Sequence, residues 1–439
     1  MYNLIMYLYL CGVAIASLFN EKVRKMWRGE RQAISILREK VDPTAQYVWF
    51  HAASLGEFEQ GRPLMEQLRH DHPEYKILLT FFSPSGYEVR KNYEGADIIC
   101  YLPVDTITNA RRFLRTVRPV MAFFIKYEFW YNYLHILKHR GVPTYSVSSI
   151  FRPGQVFFRW YGRQYAHVLR CFSRFFVQNE ESRELLSKIG ITDVQVVGDT
   201  RFDRVLQIKA AAKKLPVVDT FLRGEEQEAG GEKQEARSKK QEASERSVPK
   251  VFVAGSSWQP DEEIFIPWFN EHRDWKLIIA PHVIGEDHLQ QIEKLLEGRR
   301  VVRYTQVTDT NLSPLASHLL PLKTAEVLII DCFGLLSSIY GYADVTYVGG
   351  GFGVGIHNTL EAAVWDVPVI FGPNNQRFRE AQGLKACRGG FEISSAEDFR
   401  QVMAHFEAEP QSLLDAGKQA GAFVEQMTGA TQLVLDNAI

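Results

Sequence analysis

The stretch HAASLGEFEQGRP, residues 51–63, places a hydroxyl and a carboxylate where a strand gives way to a helix. Its Ser54 and Glu57 have the S-x-x-E spacing of a helix capping box. A carboxylate at the carboxyl end of a strand also faces the position where α/β proteins bind ligands. Glu57 is therefore either a helix cap or a carboxylate that faces a substrate, with Ser54 and Gly56 shaping the turn that presents it.

Pro63 bears on that choice, because proline in a helix interior removes an i→i−4 hydrogen bond. We expect a helix that starts at Ser54 to be kinked or to restart near Gly61. A capping box on so interrupted a helix explains less than the spacing alone suggests, which favours the substrate-facing interpretation of Glu57. A helix N-terminus would keep that carboxylate ionised, so as a base it would be weak but always available.

Further polar residues end other predicted strands. Lys126 and Glu128 follow the fourth strand, in FFIKYEFWYNYL, and form either a cleft lining or a plain strand-end ion pair. Ser256 follows VFVAG, and His282 follows LIIAP. These strand ends predict one cleft lined by two halves of the chain.

A glycine-rich loop in residues 344–378 gives the strongest local signal, since it joins an apolar strand to a predicted helix. Glycines let a backbone approach a ligand closely, and a helix N-terminus suits a phosphate. The loop is not a dinucleotide-binding motif in a first βα unit, and no G-K-[ST] ending follows it. The candidate ligand-binding residues here are Gly350, Gly351, Gly355, His357, Asn358 and Glu361.

Two of these residues have plain alternatives. His357 could instead be a core or capping histidine. Glu361, four residues later on the predicted helix, shares a face with it and either binds ribose hydroxyls or is an ordinary surface residue. The sequence holds no H-E-x-x-H, D-x-D or G-x-S-x-G, so we predict neither a metal site nor a cofactor.

The elements that must position these residues follow a β-α rhythm. Near-continuous apolar runs such as YVWFHA, KILLTFF and PVMAFFIKY alternate with helical patterns from Tyr47 to Thr200, which is typical of a parallel sheet covered on both faces. The rhythm resumes at Lys250 and ends in two helical runs from Ala396. The sequence therefore predicts an α/β fold of two Rossmann-like halves that face a central cleft.

The composition of residues 223–250 changes abruptly, to charged residues of both signs without an aromatic side chain, and predicts a disordered insert. The predicted divisions are 1–30 as membrane anchor and basic flank, 31–210 as N-terminal domain, and 251–439 as C-terminal domain. A nucleic-acid partner is not expected, because the chain has 51 Lys and Arg residues and 52 Asp and Glu residues and therefore no excess of positive charge. Five scattered cysteines favour reduced thiols in the cytosol.

Residues Tyr2 to Phe19 carry no charge and precede a Lys- and Arg-rich segment. This pattern favours an uncleaved membrane anchor over a signal peptide, because no charged region precedes the apolar run. A buried helix is the plain alternative. The basic flank predicts that the following domains lie on the cytoplasmic side of the membrane and that the flank contacts anionic lipids.

Several segments of the chain resemble one known family, the 3-deoxy-D-manno-octulosonic acid (Kdo) transferases of lipopolysaccharide synthesis. These segments are HAASLGE, FFSPSGYE, KYEFWYN, FFVQNEES, VVGDTRFDRV and residues 331–374. The resemblance covers nearly the whole chain except residues 223–250. It implies a GT-B glycosyltransferase that moves Kdo from CMP-Kdo to a lipid A precursor with inversion at the anomeric carbon. The N-terminal domain would bind the acceptor and the C-terminal domain the donor.

The resemblance also assigns residues. It implies Glu57 as general base, and Gly355, His357, Asn358 and Glu361 as the family's G-G-H-N-x-x-E element, with Ile356 in place of a second Gly. The family's P-R-H appears as Ala280-Pro281-His282, without the arginine that could help hold the nucleotide. Two alternative functions are another GT-B nucleotide-sugar transferase and a UDP-sugar 2-epimerase. A membrane-anchored nucleotide-sugar-binding protein without turnover is the non-enzymatic one.

Overall fold

A computed structural model describes residues 2–223, 250–308 and 321–439, and within these ranges the chain forms two α/β units. The first unit comprises Met1–Arg204 and Met427–Ile439, and the second comprises Val205–Gln426. The predicted insert at 223–250 lies outside the described residues except for its two ends. The fold class predicted from the β-α rhythm is confirmed.

In chain order the strands are β1 (Gln46–Ala52), β2 (Tyr75–Phe81), β3 (Ile98–Tyr101), β4 (Met121–Ile125), β5 (Thr144–Ser149), β6 (Arg174–Val177), β7 (Val194–Val196), β8 (Lys250–Ser257), β9 (Trp275–Pro281), β10 (Val301–Arg303), β11 (Val327–Ile329), β12 (Val345–Val348), β13 (Val369–Phe371) and β14 (Gly390–Glu392). The α-helices are α1 (Tyr2–Phe19), α2 (Glu21–Lys40), α3 (Leu55–Asp71), α4 (Pro84–Arg90), α5 (Ile107–Val117), α6 (Tyr131–His139), α7 (Arg163–Leu169), α8 (Glu180–Lys188), α9 (Arg201–Ala210), α10 (Pro216–Arg223), α11 (Gln259–Glu271), α12 (Glu286–Leu295), α13 (Tyr304–Thr308), α14 (Leu336–Ile339), α15 (Leu360–Ala363), α16 (Arg379–Ala386), α17 (Ala396–Ala408), α18 (Pro410–Gln426) and α19 (Ala430–Asp436). Short 3-10 helices lie at Val156–Phe158, Trp160–Gly162 and Tyr340–Tyr342.

Each unit is built on one fully parallel seven-stranded sheet. The strand order is β3-β2-β1-β4-β5-β6-β7 in the first unit and β10-β11-β9-β8-β12-β13-β14 in the second. The order reverses between β1 and β4, and between β8 and β12, and open parallel sheets bind ligands at the carboxyl ends of such a pair. The three-residue strands β10 and β14, at the edges of the second sheet, were not predicted from the sequence.

The two faces of the first sheet are buried by different sets of side chains. Trp49 faces Phe113, Phe124 and Tyr133 on one side, and Phe50 stacks on Phe123 at 4.8 Å on the other. These rings are fully buried. Because both faces are covered, the strands need apolar residues at successive positions, which is the near-continuous pattern seen in the sequence.

Three predicted features differ from the structure. Helix α3 runs as one helix from Leu55 to Asp71 with Pro63 inside it, so the predicted restart near Gly61 is wrong. The chain ends in three helices rather than two, α17 to α19. Helix α2 continues past the predicted boundary at residue 30, because its Ala33 and Leu37 belong to the core of the first unit.

The C-terminal helix α19 returns to the first unit, whereas the sequence prediction placed residues 251–439 in one domain. Its Ala430, Val434 and Leu435 pack in the core beside β1 and β2. The Asp203 carboxylate accepts hydrogen bonds from the Gly429 N–H (2.6 Å), the Thr431 N–H (2.7 Å) and the Thr431 hydroxyl (2.6 Å). Apolar burial and the Asp203 carboxylate therefore hold α19 against the first unit.

Asp203→Ala is expected to loosen α19, because three donors lose a charged acceptor whose bonds are worth about 1.5–3 kcal/mol. Hydrogen exchange of the α19 amides should then be faster by roughly 10- to 100-fold, since 1.4 kcal/mol is a factor of ten. Asp436→Asn is the matched control, because among the described residues Asp436 accepts a side-chain bond from Gln432 on the same helix and no other. Unchanged protection in Asp203→Ala would show that packing alone holds the helix.

Candidate active site

The first candidate site lies where β1 and β4 end side by side. Strand β1 leads into α3 and Glu57, and β4 leads directly into Lys126 and Glu128. Glu57 is half-buried, and its Oε2 accepts the backbone N–H of Ser54 at 3.0 Å. This bond is one half of the predicted capping box, so Glu57 caps its own helix and faces the strand ends at the same time. Gly56 is exposed in the first helical turn.

Opposing charges act on the Glu57 carboxyl group. Burial raises its pKa, and the negative charge of Glu128 raises it further. The Lys126 cation, His51 and the Ser54 N–H act in the opposite direction without cancelling the rise. The sequence predicted a weak base at a helix N-terminus, but desolvation outweighs the helix end here. Glu57 is a stronger base than an exposed glutamate.

The backbone at Lys126 is unusual, because this non-glycine residue has φ +60°. Its N–H donates to the Val147 carbonyl at 2.8 Å, and its carbonyl accepts the Ser149 hydroxyl at 2.7 Å. Strand β5 therefore holds the peptide from both sides. Non-glycine residues in the left-handed region are energetically costly and concentrate at functional sites.

Glu128 belongs to a buried hydrogen-bond network that the sequence analysis missed. The Trp130 indole N–H donates to Glu128 Oε2 at 2.7 Å, and His51 Nε2 lies 3.1 Å from the same oxygen. His51 is fully buried, and its Nδ1 lies 2.9 Å from Thr80 Oγ1, which also accepts the Trp49 indole N–H at 2.8 Å. The signal in the sequence is a histidine inside an otherwise apolar strand. These partners fix the Glu128 carboxylate in place.

The second candidate site lies where β8 and β12 end, around glycines 349–351. A Cβ on Gly349 would stand 2.3 Å from the Ser256 carbonyl oxygen, and Gly350 has φ +92°. Ser256 has φ +53°, and the pairing of β8 with β9 shifts register across it. The glycines are therefore required by the close approach of two strand ends, and Gly351 packs equally closely on Gly372.

The buried Asp261 holds this loop. Its carboxylate accepts the Gly350 N–H (2.9 Å), the Trp258 N–H (2.9 Å) and the Tyr347 hydroxyl (2.7 Å). Beside it, the buried Glu262 accepts the Ser257 hydroxyl at 2.8 Å and contacts His288 Nε2 at 2.8 Å. Burial raises the pKa of both carboxyl groups. The sequence analysis missed both residues, whose signal was a pair of acids just after a strand end.

His282 and His357 meet in a stack of rings. His282 stacks on Trp258 at 4.7 Å and on His357 at 4.3 Å, and the Trp258 indole N–H donates to His357 Nε2 at 3.1 Å. Burial, with a smaller contribution from His282, lowers the pKa of His357 to about 4. Burial also lowers the pKa of His282. Both imidazoles are therefore neutral near pH 7.

Asn358 and Glu361 are joined directly. Asn358 Nδ2 donates to Glu361 Oε1 at 3.0 Å, and Asn358 Oδ1 accepts the Leu360 N–H at 3.2 Å. The predicted helix is only the four residues of α15, so His357 precedes it and shares no helix face with Glu361. A single turn also carries little dipole, so the helix N-terminus contributes less to the expected phosphate site than a longer helix would. Gly355, with φ +138°, is buried against Phe378.

The structure thus brings the candidate residues into two groups, one in each unit. Glu57, Lys126 and Glu128 share the β1–β4 switch point. The glycine loop, Ser256 and the imidazole stack share the β8–β12 switch point. Across residues 2–223, 250–308 and 321–439, no group of three or more His, Cys, Asp or Glu side chains is placed to hold a metal ion.

Comparison with known proteins identifies relatives at the level of sequence. Residues 26–204 match the family described as 3-Deoxy-D-manno-octulosonic-acid transferase (kdotransferase). The chain is 25% identical over 410 residues to the 3-deoxy-D-manno-octulosonic acid transferase of Haemophilus influenzae, which covers 90% of this chain and 87% of the relative. It is 25% identical over 376 residues to the transferase of the same name from Rickettsia felis, covering 83% and 72%.

Among solved structures, the chain is similar to UDP-GlcNAc 2-epimerase from Neisseria meningitidis bound to UDP-GlcNAc. The TM-score is 0.57 at 13% sequence identity, and the match covers 89% of this chain and 99% of that one. At this identity the likeness concerns the fold. It agrees with two Rossmann-like units of the GT-B type.

Substitution of the two neighbours should move the pKa of Glu57 in opposite directions. Glu128→Gln removes a like charge and lowers it, while Gln keeps an oxygen for the Trp130 indole; Lys126→Met removes a cation and raises it. Carboxyl-carbon NMR of protein carrying ¹³C-labelled glutamate measures both, with the Glu57 signal assigned by its loss in Glu57→Gln. Shifts of the same sign would show that Lys126 and Glu128 do not act on Glu57 through charge.

Proposed function

We propose that this chain is a glycosyltransferase of the 3-deoxy-D-manno-octulosonic acid transferase family, and that it transfers Kdo from CMP-Kdo to a lipid A precursor with Glu57 as the general base. The family match of residues 26–204 and the relatives at 25% identity support this proposal. The family match is what supports Kdo transfer in lipopolysaccharide synthesis as the reaction. The observation that carries the base assignment is the half-buried Glu57 carboxylate, with its raised pKa, at the β1–β4 switch point.

The reaction uses the two groups of residues differently. Glu57 takes the proton from an acceptor sugar hydroxyl, whose oxygen then bonds to the anomeric carbon of Kdo. The bond from that carbon to the CMP phosphate oxygen breaks, and CMP leaves with the electron pair. Attack from the side opposite to the leaving phosphate inverts the anomeric configuration. Lys126 and Glu128 set the charge around the base and contact the acceptor.

The donor is assigned to the second unit. The backbone N–H of Gly351 and the side chain of Ser256 are the proposed contacts for the CMP phosphate. Gly350 and Gly355, whose own N–H groups bind Asp261 and the Gly350 carbonyl, shape the loop that presents them. His357 and His282 are neutral, so they can donate hydrogen bonds to the CMP phosphate without leaving an unpaired positive charge in the site after CMP departs. Glu361, oriented by Asn358, accepts hydrogen bonds from the ribose hydroxyls.

Helix α1 supports a membrane location. Its 18 residues are long and apolar enough to cross a membrane, and large side chains including Leu4, Leu8, Ile15 and Phe19 are exposed along one face. Both of its ends nevertheless touch the first unit. The Tyr2 hydroxyl donates to Asp105 at 2.7 Å, and at the other end Val13 and Ser17 are buried.

A helix tied to the same globular body at both ends cannot place those ends on opposite sides of a bilayer. We therefore assign α1 to the membrane interface, with its apolar face among the lipids and both units on the cytoplasmic face of the inner membrane. The basic residues of α2 would then contact anionic head groups.

Glu57→Gln and Glu57→Ala separate catalysis from capping. Gln retains an oxygen for the Ser54 N–H, so its unfolding free energy should be unchanged, while Kdo transfer falls at least ~10²-fold through loss of the base. Ala should lose activity and in addition about 0.5–2 kcal/mol of helix capping. Products from CMP-Kdo and tetraacylated lipid A precursor are counted by mass spectrometry, with UDP-GlcNAc as the alternative donor.

Asp71→Asn, at the far end of α3, is the matched carboxylate control and should keep full activity. Transfer by Glu57→Gln within threefold of the unsubstituted protein would remove Glu57 as the base. Turnover of UDP-GlcNAc with none of CMP-Kdo would instead identify an epimerase or another transferase.

The position of α1 is tested by labelling a cysteine at residue 3 in a variant free of the five native cysteines. A membrane-impermeant maleimide should label it in inverted inner-membrane vesicles and not in intact spheroplasts, as it does a cysteine at the exposed Glu74, because both lie on the cytoplasmic side. Labelling of residue 3 only in spheroplasts, from the opposite side, would show that α1 spans the bilayer.

A further inference from the structure

One segment of the first unit has a large excess of basic over acidic residues. Residues 106–179 contain twelve Lys or Arg but a single acidic residue, Glu128, although the whole chain has a formal net charge of -1. Glu128 is engaged at the carboxyl end of β4 by Trp130 and His51. The rest of the segment therefore has no acidic side chain of its own to balance its cations.

Three of these arginines line one cavity. It measures about 310 Å³, near the lower limit for small-molecule sites. Its floor is apolar, and Arg115, Arg118 and Arg140 are its charged residues. The other lining residues are Leu114, Pro119, Leu137 and Val142.

The three guanidinium groups repel one another. Burial lowers the pKa of Arg140, and the positive charges of Arg115 and Arg118 lower it further. Within the described residues, none of the three arginines forms an ion pair with a carboxylate. Arg140 is fixed by a hydrogen bond from Nη1 to the Leu114 carbonyl at 2.8 Å, which also accepts the Arg118 N–H at 3.1 Å.

The backbone at Arg118 is a second, independent observation. Arg118 caps the C-terminus of α5 with φ +48° and ψ +57°, the left-handed conformation for which glycine is the usual residue. An arginine pays a steric cost there that glycine would avoid. Strained non-glycine residues of this kind concentrate at functional sites.

The cavity is separate from the candidate active site. Pro119 precedes β4, whereas Lys126 follows it, so the two lie beyond opposite ends of a five-residue strand that is itself about 16 Å long. Substitutions around this cavity therefore leave Glu57 and its neighbours intact.

We propose that Arg115, Arg118 and Arg140 bind a phosphate-bearing anion at this cavity. Three arginines match a polyanionic phosphate better than a single carboxylate, because each guanidinium presents paired donors to phosphate oxygens. The bound anion removes the mutual repulsion of the three cations. The phosphate comes either from a soluble ligand or from a lipid head group.

Arg118→Gly is the decisive variant, since glycine accepts the left-handed backbone while the charge is lost. In calorimetric titration with pyrophosphate at constant ionic strength, the full chain should bind, and Arg118→Gly and Arg140→Gln should each weaken binding at least tenfold. Arg112→Gln, on the same helix but outside the cavity, should bind as the unsubstituted protein does. Thermal unfolding of Arg118→Gly without ligand should be unchanged or higher.

Vesicle flotation distinguishes the two sources of phosphate. If pyrophosphate does not bind, but Arg118→Gly at least halves binding to vesicles containing phosphatidylglycerol and leaves binding to pure phosphatidylcholine unchanged, the ligand is a lipid head group. Equal weakening by Arg112→Gln and Arg118→Gly, or binding of neither probe through these arginines, would overturn the proposal.

Discussion

The parallel direction of every described strand is the constraint on which the rest of this molecule depends. Because parallel strands end at the same edge, residues that are far apart in sequence become neighbours wherever two strand ends adjoin. Glu57 and Lys126 are separated by 69 positions in the chain, yet β1 and β4 pair directly. The same geometry joins Ser256 to the glycine loop across β8 and β12. Both candidate sites are consequences of strand order.

Charge at the strand ends is stabilised by partners that differ between the units. In the first unit, half-burial and a like charge raise the pKa of Glu57, while Lys126 limits the rise. In the second, the buried Asp261 uses its carboxylate to hold backbone N–H groups, and burial keeps the histidine stack neutral. One unit thus presents a reactive carboxylate, whereas the other presents hydrogen-bond donors with little net charge. That division suits a base on one substrate and a phosphate leaving group on the other.

The prediction from sequence succeeded where local pattern carries the information. Apolar runs located the long strands, since a strand covered on both faces must be apolar throughout, and Glu57, Lys126 and Glu128 were selected because they follow such runs. The prediction failed where an element has only three or four residues, or where its conformation depends on residues far away in the sequence. The edge strands β10 and β14 have three residues each, and Pro63 lies within a helix that continues past it. The helix after the glycine loop is a single turn, so its length could not be read from the residues that start it.

The sequence by itself determined the fold class, the position of most strands and the apolar N-terminal helix, and it supplied the candidates for a base and for phosphate contacts, because these depend on residue type and near spacing. Only the tertiary structure decided which of them meet. Strand order placed Glu128 beside Glu57 and His51. Burial raised the pKa of Glu57 above that of the weak base expected from the sequence. Helix α19 packs in the first unit, although nothing in the composition marks a domain boundary before it. Desolvation and charge–charge interaction act through space, so the pKa of Glu57 depends on neighbours that no local spacing identifies.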